Sequence, residues 1–170
     1  MAPLVRRTWA QRGVTPVLPQ RGRSRRKVSV IAALSLSPRR RRVRTYFGVL
    51  VDANYTGAAI LHFLKQLRRH QRGPIELIWD RLPAHRGGPV ARWLARNHRR
   101  VHAHLLPGYA PELNPVELIW AHAKMNSLAN FAPTEVEELL HQTHAALLTI
   151  AANPPLLRAF LKHCPLALRL

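Results

Sequence analysis

YAPELNPVELIW, Tyr109 to Trp120, and ELIWDRLPAH, Glu76 to His85, together set the architecture of this chain. The second is a short apolar run that stops at Asp80, the pattern of a buried strand with an acid at its carboxyl end. The first contains Asn114-Pro115 ahead of a helical pattern. Proline is favourable at the first helical position and asparagine is a good cap, so Glu117 falls in the first turn of a helix. In open α/β sheets, sites lie beyond the carboxyl ends of strands, where Asp80 sits. Asp80 and Glu117 are separated by a helix, a strand and a loop, enough chain to bring the helix back beside the strand end.

On either side of these two stretches the same alternation of periods continues. Residues 1–27 read as an irregular arm punctuated by Pro3, Gly13, Pro16, Pro19 and Gly22. Val28 to Leu36 is β-prone and largely apolar, which predicts a buried strand. Ser37-Pro38-Arg39-Arg40 is a turn, and Arg42 to Leu50 alternates as an antiparallel partner. Thr56-Gly57 precedes a helix to about Arg69 with Ile60, Phe63, Leu64 and Leu67 inward. Ile75 to Trp79 is the strand before Asp80. Pro89 to Arg100 follows as a helix with Val90, Trp93 and Leu94 inward, then Val101 to Leu106 as a strand. Pro115 to about Leu128 is the Glu117 helix. Thr134 caps a helix to about Ala151, with Glu137 completing a capping box. Pro154 opens a last short helix to Lys162. The order predicts α/β architecture: a mixed sheet with a hairpin first and βαβ crossovers after it.

Charge narrows the chemistry. The chain has 170 residues, 47% hydrophobic, enough for one cored domain. Lys and Arg number 27 against 8 acids, a formal net charge of +19. The first 51 residues contain no acid, and Arg21, Arg23, Arg25, Arg26 and Lys27 form a basic run that reads as a DNA-contacting arm. A polyanionic partner follows, and nucleic acid is favoured over a membrane because no segment has the apolar length of a spanning helix. No secretory leader precedes Arg6-Arg7-Thr8-Trp9. The single cysteine, Cys164, excludes an intrachain disulfide, which fits a reducing cytoplasm.

With so few acids, Asp80 and Glu117 are candidates to hold hard cations. Oxygen ligands suit Mg2+ or Mn2+, and ions about 4 Å apart activate an attacking oxygen and stabilise a leaving one. Spacing alone equally allows the two acids to cap elements or pair with Arg81 and Arg86. His85 is a candidate to orient phosphate or a water, or else packs in its loop. Lys124, two turns after Glu117 on the same helix face, is a candidate phosphate contact or a solvated lysine. Tyr109 and Asn114 frame the motif, and Trp9, Trp79, Trp93 and Trp120 read as core.

The wording of these motifs resembles the DDE transposases of bacterial insertion sequences related to Tc1/mariner elements. The resemblance runs from RRTWAQRG, Arg6 to Gly13, through LIWDRLPAH and LLPGYAPELNPVELIWAHAK, in the family's order. It implies an RNase H-like fold and an activity that cuts DNA at element ends and joins the freed 3′ hydroxyl to target DNA. The ions are held by two aspartates and a third acid. Asp80 matches the second acid and Glu117 the third. The first acid precedes the Arg-Arg-Thr-Trp segment in the family and has no counterpart here, and Asp52 aligns elsewhere. The resemblance therefore predicts a basic arm over 1–27 and a truncated catalytic domain over 28–170. Its first central strand and one metal ligand would be missing, and the chain would be inactive alone. The partners it implies are DNA and a separately encoded N-terminal half, with a homodimer compatible and a nucleoid-associated location in the cytoplasm. The alternative class is a basic nucleic-acid-binding remnant that no longer cuts.

Overall fold

The computed structural model describes residues 4–18, 26–39 and 42–166. Arg21, Arg23 and Arg25 lie outside them. Two strands, β1 (Val28–Leu36) and β2 (Val43–Val51), form an antiparallel hairpin in the register Val28 opposite Val51. The turn is closed by Ser37 Oγ, which accepts the Arg42 N–H at 3.1 Å. Helix α1 (Gly57–His70) starts at Thr56, whose hydroxyl accepts from Ala59 N–H. It buries Ile60, Leu64 and Leu67, the spacing that its sequence sets.

Strand β3 (Ile75–Trp79) then pairs in parallel with β4 (Val101–Leu105). Between them run a short helix α2 (Pro83–Arg86), which its sequence does not announce, and α3 (Gly88–Arg96). α3 stops four residues before the expected Arg100. Asn97 closes it, bonding its N–H and its side chain back to Trp93. A 3-10 turn (Pro111–Leu113) leads to α4 (Val116–Met125), followed by α5 (Val136–Ala151) and α6 (Pro154–His163). Asn114 acts as the expected cap in kind, its side chain accepting the Val116 N–H at 3.2 Å. Thr134 pairs with Glu138 rather than Glu137, through both its N–H and its hydroxyl. Glu137 is turned away to an arginine.

The core is in two parts. Ile119 and Ala123 of α4, Leu147 and Ile150 of α5, and Leu157, Phe160 and Leu161 of α6 pack with Val43 beneath one face of the hairpin. Ile60 and Leu64 of α1, Trp79 of β3 and Val90 of α3 form the other part, with Ile31 of β1 and Leu77 of β3 packed against it. Thus α1 lies across both strand pairs on one side.

Among the described residues, the mixed strands expected from the element order lie in two two-stranded pieces, one antiparallel and one parallel, rather than in one continuous sheet. β1 and β3, both under α1, share no ladder. The same break explains a second difference. β1 is apolar enough for a buried strand, yet each of its nine residues is only half-buried. A strand reads as fully buried when strands flank it on both edges and helices cover both faces; here one edge is open.

One further expectation fails on exposure. Trp9, read as core, is 100% exposed; among the described residues its segment is tied to the body at Leu4 and Arg6. Tyr109 is fully exposed and held at φ 55°, a left-handed backbone that costs a non-glycine residue. Trp93 and Trp120 are partly buried against the two clusters, as expected.

Candidate active site

β3 and β4 run in parallel, so Asp80 and the loop after Leu105 leave the sheet at the same end. α1 begins there too: a Cβ added at Gly57 would lie 3.7 Å from the Ala84 carbonyl oxygen of α2. The end of β2, the start of α1, the end of β3 and the start of the loop to α4 therefore gather on one side of the molecule. Each is where the chain turns after a strand, so a site there needs no burial of irregular backbone.

Asp80 is half-buried. Its Oδ1 accepts the Leu82 N–H at 3.1 Å, a turn made by the side chain on its own loop. His85 Nδ1 lies 2.7 Å from the same oxygen. That approach lacks hydrogen-bond geometry, and Nδ1 stays without a hydrogen-bond partner among the described residues. The contact is an ion pair only with a protonated imidazole. The His85 ring stacks on Trp79, with centroids 4.6 Å apart and planes 6° from parallel. Trp79 thus fixes His85, and His85 and the loop fix one side of the carboxylate. The second oxygen, Oδ2, has no protein partner among the described residues. Sequence reasoning took Trp79 for core alone; its stacking role depends on a loop that turns back over it.

Glu117 lies in the first turn of α4, exposed, with no partner for its carboxylate among the described residues. Negative charge is favourable at that helix end. Ile119 and Ala123, further along the same helix, anchor it. No hydrogen bond or ion pair joins Glu117 to Asp80 in the described residues. Lys124 is exposed on α4. Arg81 does not pair with Asp80; its Nε donates to the Leu106 carbonyl at 2.8 Å.

The remaining candidate residues sit at the base of the hairpin. Arg26 Nε lies 2.8 Å from Asp52 Oδ2, and its Nη2 lies 3.1 Å from Glu137 Oε1 on α5. The Lys27 N–H donates to Asp52 Oδ1 and its Nζ to Asn54. Asp52 itself has φ 51°. Arg26 first, then the Lys27 N–H, hold its carboxyl below the usual range. Both Asp52 oxygens are thereby occupied. Arg26 and Lys27 are tied to the body through Asp52, Asn54 and Glu137.

Hard oxygen donors fit Mg2+ or Mn2+ better than softer ions. Asp80 Oδ2 and the Glu117 carboxylate are open donors of that kind. No group of three or more metal-ligating side chains converges among the described residues.

The α/β body, with an acid after the parallel strand β3 and another in the first turn of α4, has an RNase H-like fold. The sequence profile of the DDE superfamily endonucleases matches residues 2–140, and the chain belongs to that family. Its fold is similar to that in the crystal structure of the Mos1 strand transfer complex, with a TM-score of 0.52 at 15% identity. The match covers 95% of this chain and 49% of that one, so the chain spans about half that protein's length. No curated protein sequence matches. Among the described residues no helix is long and apolar enough to cross a membrane.

Proposed function

We propose that this chain is the carboxyl-terminal catalytic portion of an insertion-sequence transposase, acting on DNA in the bacterial cytoplasm at the nucleoid. Asp80 and Glu117 would hold Mg2+ or Mn2+. Such ions, when bound, activate the attacking oxygen and stabilise the leaving oxygen at a phosphodiester. The observation that carries this reading is Asp80. Its loop and His85 fix one oxygen, and the other is left open at the strand end where α/β sites form. His85 positions Asp80 rather than touching the reacting phosphate.

Two acids leave a divalent ion short of ligands, and Asp52 is already committed to Arg26 and Lys27. Cutting therefore needs at least one further ligand besides Asp80 and Glu117, while DNA binding does not. DNA affinity comes from the arm, Arg21 to Lys27, and from Lys124, through phosphates and with little sequence preference. Supplying the segment that precedes this region in intact family members, fused or as a second chain, should give Mg2+-dependent nicking of duplex DNA. Binding that never becomes cutting, with the complete set of segments, would leave the non-catalytic remnant as the correct reading.

A further inference from the structure

Charge is unevenly placed between the two helical layers. The hairpin lies between them, with α4 to α6 on one face and the α1 and α3 cluster on the other. None of the eight acids lies between Asp52 and Glu76 or between Asp80 and Glu112, the stretches that supply α1 and α3. Those stretches carry four and six Lys and Arg. Leu77 and Trp79 of β3 pack toward α1 and α3. The neighbouring Glu76, with its partners His102 and His104, therefore faces the opposite side of the strand pair. α1 and α3 bring no carboxylate to their outer surface.

The inward residues Ile60, Leu64 and Leu67 turn Lys65 and Arg69 outward on α1, and Val90, Trp93 and Leu94 turn out Arg92 and Arg96 on α3. All four are exposed, and no ion pair among the described residues includes them. On each helix the two cations repeat at i and i+4, where like charges weaken a helix. Lys65 and Arg92 stand before the last turn, where the macrodipole favours a cation. Stability of the fold does not account for them. Packed helices stand about 8–10 Å apart, which sets the spacing of the two rows. Long basic side chains from such rows reach the phosphates on either side of a DNA groove about 6 or 12 Å wide.

We propose that the outer face of α1 and α3 docks a second segment of duplex DNA by its phosphates, separate from the segment held by the arm. The base of the arm is tied through Arg26 to Glu137 of α5, and Lys124 is exposed on α4, so both belong to the other helical layer. The hairpin separates the two surfaces, with a helix layer on each side of it. Duplex DNA has a persistence length of about 150 base pairs, and bending it around so small a body is costly. One chain therefore offers two duplex surfaces. The surface rests on the placement of charge; the identity of its polyanion as DNA rests on the function proposed above. Contacts to phosphates alone give such docking no sequence preference.

The test is DNA bridging by the full 170-residue chain without metal, with one duplex fixed to beads and an unrelated labelled duplex in solution. The chain should recruit the labelled duplex to the beads. Lys65→Gln, Arg69→Gln, Arg92→Gln and Arg96→Gln together should cut recruitment by about tenfold or more, while the arm still binds a single duplex. Arg69→Lys, Arg92→Lys and Arg96→Lys together should preserve bridging, since the contact needs charge rather than a guanidinium fork. In the unaltered chain, duplex DNA should shield Lys65 from acetylation, a readout that does not depend on how the fourfold variant folds. Unchanged recruitment by the fourfold variant, or equal acetylation of Lys65 with and without duplex, would overturn the proposal. Binding of one duplex without bridging by the unaltered chain overturns this inference alone; no duplex binding at all overturns the DNA reading with it. Preference for phosphatidylserine vesicles over duplex, lost with the four substitutions, would make an anionic membrane surface the occupant and overturn it too. None of these readouts depends on DNA cutting, so a failed nuclease assay leaves them intact.

Discussion

Ile119→Ala tests how α4 holds Glu117 in place. Ile119 is fully buried among α5 and α6 side chains, two residues beyond Glu117. Truncating a buried isoleucine to alanine costs about 2–5 kcal/mol, the upper part where neighbours cannot collapse into the space. Ile119 meets helices on one side and hairpin residues on the other, so little collapse is open and a cost of about 3–4 kcal/mol is expected. A domain of this size has about 5–15 kcal/mol in all and loses roughly 2–4 °C of Tm per kcal/mol. The Tm should therefore fall by about 6–16 °C, read by circular dichroism at fixed protein concentration. Met125→Ala, at an exposed position at the end of the same helix, should move it by less than about 2 °C. Equal small shifts for both would refute the packing, because Ile119 would then not anchor α4.

Neutralising Arg21, Arg23, Arg25, Arg26 and Lys27 together should flatten the salt dependence of DNA binding, by up to about 0.9 for each phosphate they no longer neutralise. A fluorescence-anisotropy slope that does not change would show the run to be solvated only. Arg26→Gln alone should instead lower thermal stability more than the slope, since Arg26 already bridges Asp52 and Glu137. Asp52 is the pH-sensitive member of that network. Its folded carboxyl is depressed, so its contribution is present above the usual carboxylate range and is lost as pH falls through the lower folded value. The stability gap between wild type and Asp52→Asn, measured by denaturant titration, should hold at neutral pH and close as the pH falls below the usual carboxylate range. A gap that widens on acidification would contradict the pairing. Replacing Trp79 with leucine should remove the platform under His85 and weaken divalent-ion binding at Asp80 without abolishing it; unchanged binding would separate the stack from the site.

Element types were legible because hydrophobic period and turn chemistry are local. VSVIAALSL, Thr56-Gly57 ahead of α1, and the Ile60, Leu64 and Leu67 spacing each carry their own signal. What was not legible depended on partners distant in sequence. The half-burial of β1 follows from which strand stands beside it, and a sequence of the same composition flanked on both edges would be buried. Trp9 has the composition of core, but no element lies over it. Thr134 meets Glu138 rather than Glu137 because α5 is capped at Glu135, one residue later than expected, which makes Glu138 the third helical residue. Asp80 follows the end of β3 and Glu117 lies in the first turn of α4, as their local sequence signals indicate, and their shared metal is part of the proposal. The Trp79–His85 stack could not, since it depends on how the α2 loop folds back over the strand.

The most direct measurement is Mg2+-dependent nicking of supercoiled DNA by three preparations: this chain alone, this chain with the upstream segment, and that pair carrying Asp80→Ala or Glu117→Ala. The expected result is no cutting by the chain alone, cutting by the pair, and loss of cutting with either substitution. Robust Mg2+-dependent cutting by the chain alone, abolished by Asp52→Ala, would contradict this and make Asp52 a metal ligand.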